Sequence, residues 1–147
     1  MNRIDQIMRK PLSDSNLRTI LGDCKILTYP ELSKYNSIDQ LLPNSYDFLI
    51  ILLLESPASG HCTSLIKYGD QLEFFDCYGD APDADLTHWL TPQERLKLGE
   101  SQKYLSFLLQ GKPYVYNKVK YQVMKRGVNT CGSHVAYRCW LFKKKTI

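Results

Sequence analysis

The sequence predicts an α+β domain, and three observations carry that prediction. Phe48-Leu49-Ile50-Ile51-Leu52-Leu53-Leu54 is the longest apolar run, within a strand expected over Tyr46 to Glu55. Such a run suits a buried strand and is far too short to span a bilayer. His61 to Tyr68 and Gln71 to Cys77 are two β-rich runs around Gly69-Asp70, a two-residue hairpin turn. From Cys131 to about Lys144, Gly132, Val135, Ala136, Cys139 and Trp140 recur at i, i+3, i+4, i+7 and i+8. That spacing places one apolar stripe along a helix facing a core.

The remaining elements follow in chain order. Ser13 to Leu21 reads as a short helix, with Ser13 as its cap, Leu17, Ile20 and Leu21 on one face, and Gly22 at its end. Residues 24–45 are mixed, broken by Pro30 and Pro43, with one apolar helical turn at Ile38, Leu41 and Leu42. Ser56-Pro57-Ala58-Ser59-Gly60 is a loop. Residues 91–110 read as helical, with Leu96, Leu98, Tyr104, Leu105, Phe107, Leu108 and Leu109 as apolar positions. Tyr114 to Val123, rich in Tyr and Val, reads as a strand. The lysines that end the closing helix meet the negative end of its dipole, where cations help.

With 147 residues, 44% hydrophobic and 23% charged, the chain reads as one domain, 1–147, with a single sizeable core. The N-terminus, Met1-Asn2-Arg3-Ile4-Asp5, lacks the apolar stretch of a secretory signal, and the expectation is an intracellular protein. Five cysteines without a CxxC pair argue against a disulfide framework and a structural zinc site. The formal net charge of +4 is mild. Its clusters at Lys118 and Lys120, Lys125-Arg126 and Lys143-Lys144-Lys145 read first as solvated surface. A weaker reading is non-specific contact with nucleic acid or an acidic partner.

The hairpin makes a chemical prediction. With Gly69 and Asp70 as the turn, Tyr68 faces Gln71, and counting outwards Thr63 faces Asp76. His61 then lies on the sheet face of Asp76, diagonal to it. Diagonal neighbours are about 7–8 Å apart at the backbone, within side-chain reach. A slip of one residue would put the two on opposite faces.

Cys131 opens the closing helix, just before Gly132. A buried free cysteine is usually a small core residue. A cysteine at a helix N-terminus has its thiolate stabilised by the dipole, and a nearby histidine oriented by a carboxylate would make it a nucleophile. Gln122 supplies an amide for a developing oxyanion, together with the N–H of Cys131. Asp80 and Asp83 lie in a Gly-Asp-Ala-Pro-Asp turn and read as turn residues, and His88 and His134 read as non-catalytic. Cys62 and Cys77 each follow a site residue by one position, so strand alternation points them into the core on the opposite face.

The chain order His, Asp, Gln, Cys resembles that of the adenain and ubiquitin-like-protease superfamily of cysteine peptidases. The matching pieces are Gly60-His61, Phe74-Phe75-Asp76-Cys77-Tyr78-Gly79, Tyr121-Gln122 and Thr130-Cys131-Gly132, and they extend over about Tyr46 to Phe142. Cys62 stands where the family usually has Trp, and the gap from Gln122 to Cys131 is longer than in many relatives. The resemblance implies a papain-like fold in the adenain arrangement, a small mixed sheet packed on a helix that starts at the catalytic cysteine. It implies His61, Asp76, Gln122 and Cys131 as the catalytic set, with no cofactor and no metal. It implies a protein substrate cut beside glycine or small residues.

The short chain is most similar to the compact maturation proteases of double-stranded DNA viruses and mobile elements. The leading expectation is therefore an endopeptidase acting on viral precursor proteins, in the host cytoplasm or nucleus or in the virion. Removal of ubiquitin or a ubiquitin-like modifier is the second expectation. A non-enzymatic binding module on the same fold is the third, and it predicts loss of a catalytic residue.

Overall fold

The computed structural model describes residues 14–56, 59–84, 91–117 and 131–146. Among these residues five strands form one sheet: β1 (Lys25–Thr28), β2 (Tyr46–Ser56), β3 (Ser59–Tyr68), β4 (Gln71–Asp76) and β5 (Val115–Tyr116). They lie side by side in chain order. The β2–β3 and β3–β4 pairs are antiparallel, whereas β1–β2 and β4–β5 are parallel. The helices are α1 (Asp14–Leu21), α2 (Ile38–Leu41), α3 (Pro92–Leu98), α4 (Tyr104–Leu108) and α5 (Cys131–Thr146), with a 3-10 helix over Tyr29–Lys34. The protein is a mixed α+β structure.

The unbroken apolar run of β2 has a physical reason in this architecture. Phe48 and Ile50 face a cluster built with Leu17, Ile20 and Leu21 of α1 and Val135, Ala136, Cys139 and Phe142 of α5. Leu49, Ile51 and Leu53 face the other side, against Tyr29, Leu32, α2 and the Leu105, Leu108 and Leu109 region of α4. A strand covered on both faces has no polar side to alternate with. Val135, Ala136 and Cys139 of the expected stripe are each 0% exposed. Burial pushes the Cys139 thiol up to about 12, so it stays protonated.

The hairpin follows the expected register, with Tyr68 opposite Gln71 and Thr63 opposite Asp76. Gly69 takes φ 64°, which a two-residue hairpin turn needs at its first central position. Three sequence readings are corrected. β4 ends at Asp76, so Cys77 lies in a turn and not in the strand. The expected helix over 91–110 is two helices, because Gly99 takes a left-handed φ of 77° and its N–H bonds back to the end of α3. α3 buries none of its side chains, and Leu96 and Phe107 are exposed. The mixed region 24–45 hides β1 and the 3-10 helix. There the Glu31 carboxylate accepts from both the N–H and the hydroxyl of Thr28. Ser13 and most of the expected strand over Tyr114 to Val123 lie outside the described residues, and the described part of that strand is Val115–Tyr116.

A buried network ties the turn after β4 to the helical side. The Tyr29 hydroxyl donates to Asp83 Oδ1 at 2.5 Å and accepts from the N–H of Leu105 at 3.3 Å. The other Asp83 oxygen accepts from the N–H of Ser106 at 2.7 Å, satisfying a donor in the first turn of α4. Asp83 holds φ 68° to do this, a conformation Asp tolerates better than most residues. Burial first, and then the charge of Asp83, push the Tyr29 phenol well above its ordinary value.

Both Tyr29 and Cys139 are acids held protonated in the folded state. Their contribution is complete below the ordinary values of 10.0 and 9.0 and is lost as pH rises past them. Unfolding free energy, measured by urea denaturation, should therefore fall as pH rises through this range. Tyr29→Phe should flatten the upper part of that slope and cost about 1 kcal/mol at neutral pH from the lost hydrogen bond.

Candidate active site

His61 and Asp76 meet as the hairpin register requires. His61 Nε2 lies 3.0 Å from Asp76 Oδ1, and the two side chains are 1% and 0% exposed. A carboxylate only accepts, so Nε2 carries the hydrogen and Nδ1 is the basic nitrogen of the neutral ring. Asp76 Oδ1 also accepts from the N–H of Tyr78 at 2.9 Å. That bond bends the chain out of β4 and brings the Tyr78 ring over the imidazole, with centroids 4.7 Å apart and planes at 25°. An aromatic partner for His61 therefore comes from the turn, although Cys62 occupies the position after the histidine.

Asn117, just past β5, holds the Asp76 backbone on the other side. Its Oδ1 accepts from the Asp76 N–H at 2.9 Å, and its Nδ2 donates to the Asp76 carbonyl at 2.5 Å. The side-chain amide thus continues the β4–β5 pairing by one step. Tyr78 and Asn117 were not picked out from the sequence. The Tyr78 position in an Asp-x-Tyr-Gly turn was a usable signal, whereas nothing local marks Asn117.

The closing helix begins at Cys131, as expected. Arg138 bonds Glu73, which stands opposite Ile66 of β3, and the ring of Phe142 is 6.5 Å from that of Tyr68. α5 therefore runs along β3 in the same direction. From Cys139 back to Cys131 is about 12 Å of helix, the length of roughly three to four strand residues. The helix therefore begins on the side of the β3 start and away from the hairpin turn, and its N-terminus carries the positive end of the helix dipole. His61 pairs with Leu53 and so lies on the sheet face away from α5. Gln122 lies outside the described residues, as do His88 and the Asn129-Thr130 cap region.

Cys62 is buried in the α5-side cluster, on the face expected of it. Cys77 is buried in the same cluster, as expected, and its sulfur also lies within 4.8 Å of ligand atoms of both His61 and Asp76. Asp83 is a buried structural group, as described above. Of the basic residues, Lys143 donates to the Leu21 carbonyl at the end of α1, and Lys144 lies over the Trp140 ring at 4.3 Å. Among the described residues no helix is long and apolar enough to cross a membrane.

These features define a mixed α+β protein with a buried His–Asp pair at one end of its sheet. The chain is 30% identical over 145 residues to a protein of the Sputnik virophage named "Uncharacterized protein V9", covering 96% of this chain and 82% of that one. It belongs to the family of that virophage protein. No known family profile matches the sequence, and no solved structure matches it.

Asn117→Ala removes both bonds to the Asp76 backbone and should cost about 1–3 kcal/mol in chemical denaturation. Asn117→Asp should be at least as costly, since it sets a carboxylate oxygen against the Asp76 carbonyl. A stability within 0.5 kcal/mol of wild type (roughly the scatter of ordinary surface substitutions) would show that the clamp does not matter.

Proposed function

We propose that the protein is a cysteine endopeptidase of papain-like fold in the adenain arrangement, with His61, Asp76, Gln122 and Cys131 as its catalytic set. The observation that carries this reading is the buried His61–Asp76 pair, at 3.0 Å, in a chain whose closing helix opens at Cys131. In the proposed reaction His61 Nδ1 takes the thiol proton of Cys131, and the sulfur attacks the substrate carbonyl carbon. The C–N bond then breaks, and the same proton passes to the leaving amine. Water, activated by His61, releases the acid and restores the thiol. Asp76 holds the Nε2 hydrogen and stabilises the imidazolium. Gln122 and the backbone N–H of Cys131 bind the oxyanion.

The kinship to a virophage protein favours virus- or element-encoded precursors as substrates, cut next to glycine or small residues, in the infected cell or the virion. Removal of a ubiquitin-like modifier is the competing reading, since its Gly-Gly terminus also offers glycine beside the cut. Virus-encoded precursor peptides and modifier-derived activity probes, offered side by side, separate the two. Nucleic-acid contact has little support from the described lysines, because Lys143 and Lys144 already serve α1 and Trp140.

Cys131→Ala should abolish hydrolysis while leaving the circular dichroism spectrum and melting temperature near wild type. Substantial turnover in that variant would end the mechanism. His61→Ala should cost more than Asp76→Asn, because the base moves the proton and the acid orients it.

Gln122→Ala should lower kcat by about 10²–10³ with KM little changed, the cost of one oxyanion donor. Gln122→Glu should be at least as damaging, since a carboxylate repels the oxyanion. A near-normal kcat for Gln122→Ala would transfer the role to another donor, Asn129 first.

A further inference from the structure

Cys77 has no part in the proposed hydrolysis, yet its sulfur belongs to a compact set of donor atoms. A ring nitrogen of His61, a carboxylate oxygen of Asp76 and Cys77 Sγ all lie within 4.8 Å of one another, and all three residues are buried. We propose that these side chains form a site for a thiophilic divalent cation, Zn2+ foremost, and that the bound cation switches off His61. The inhibitory half of this inference rests on the proposed hydrolysis, whereas the binding half does not.

The donor set is selective. Imidazole nitrogen, carboxylate oxygen and thiolate sulfur are the ligand types of zinc, and three protein ligands leave its fourth position open. Magnesium and calcium, which require oxygen ligands, find only one carboxylate here. Tetrahedral zinc with N and O ligands about 2.0–2.1 Å away holds those ligands about 3.3 Å apart. His61 Nε2 and Asp76 Oδ1 are already 3.0 Å apart. A sulfur ligand at about 2.3 Å from zinc sits roughly 3.6 Å from the other two, so Cys77 has to close by little more than about 1 Å. The Tyr78 N–H and the Asn117 amide hold Asp76 in place, so much of the site is organised before a cation arrives.

Inhibition follows from proton accounting. On binding, the Cys77 thiol gives its proton to solvent and its electron pair to the metal. Coordination through Nε2 moves the ring hydrogen to Nδ1, the nitrogen that would act as base. Coordination through Nδ1 occupies that nitrogen directly. In either case His61 no longer accepts a proton from a nucleophile.

The test uses the full chain with Cys131→Ser, so that the proposed nucleophile cannot supply the sulfur. Zn2+ titration calorimetry should give one cation per chain. Co2+ should show a thiolate-to-metal charge-transfer absorption. Adding Cys77→Ser should weaken Zn2+ binding at least roughly 10-fold and remove the absorption. Cys24→Ser, Cys62→Ser and Cys139→Ser should each retain it. These three variants, read by absorption, assign the sulfur by elimination even where Cys77→Ser fails to fold. Absence of stoichiometric Zn2+ binding, absence of the absorption, or undiminished affinity after Cys77→Ser would overturn the site. Hydrolysis by the wild-type protein that persists at saturating Zn2+ would overturn the inhibitory role. Zn2+ binding in a protein that hydrolyses nothing would uphold the site and defeat the peptidase reading instead.

Discussion

Everything at the candidate site depends on the register of one hairpin. Gly69 accepts the positive φ of a two-residue turn, and that turn leaves Thr63 opposite Asp76. The period of two along a strand then puts His61 on the face of Asp76, near enough to bond. A shift by one residue would reverse every side chain of β3 relative to β4. It would expose Leu65 and Ile66 to the wrong layers as well, so the two-sided core defends the register that the site needs.

The second constraint is the path of α5. Burial of Val135, Ala136 and Cys139 sets which face of the helix meets the sheet, but apolar contact alone permits sliding. Directional bonds resist it. Arg138 forks onto both oxygens of Glu73 in β4 at 2.7 Å each, and Lys143 caps the end of α1. Arg138 is thus held against β4 and Phe142 against the hairpin end of β3, which fixes the direction in which the helix runs.

Asp76 illustrates how much surrounding structure one carboxylate draws on. Oδ1 receives hydrogen from His61 and from the Tyr78 backbone, while Asn117 fastens its peptide groups. A group with so many fixed donors keeps its orientation, and it passes that orientation to the imidazole. The same fixity brings the Cys77 sulfur close, because the bond to the Tyr78 N–H is what ends the strand. Orientation of the histidine and the thiol beside it thus share one cause.

Local chemistry in the sequence was enough to determine β2, the hairpin with its His61–Asp76 pairing, and the start of the closing helix at Cys131. Each rests on short-range rules: an apolar run, a Gly-Asp turn, and a 3.6-residue stripe. The 3-10 helix was also legible in principle, from Thr28-Tyr29-Pro30-Glu31, a capping pattern obscured by reading Pro30 only as a breaker. Other features were decided only by the tertiary structure. Asp83 looks like a turn residue until Tyr29 and Ser106, far away in the chain, arrive to claim its oxygens. Asn117 acquires meaning only because β5 lies beside β4. Cys77 lies near His61 and Asp76 as well as in the α5-side cluster because it stands in the turn just past β4. In each case the deciding partner is a group whose position the local pattern does not specify.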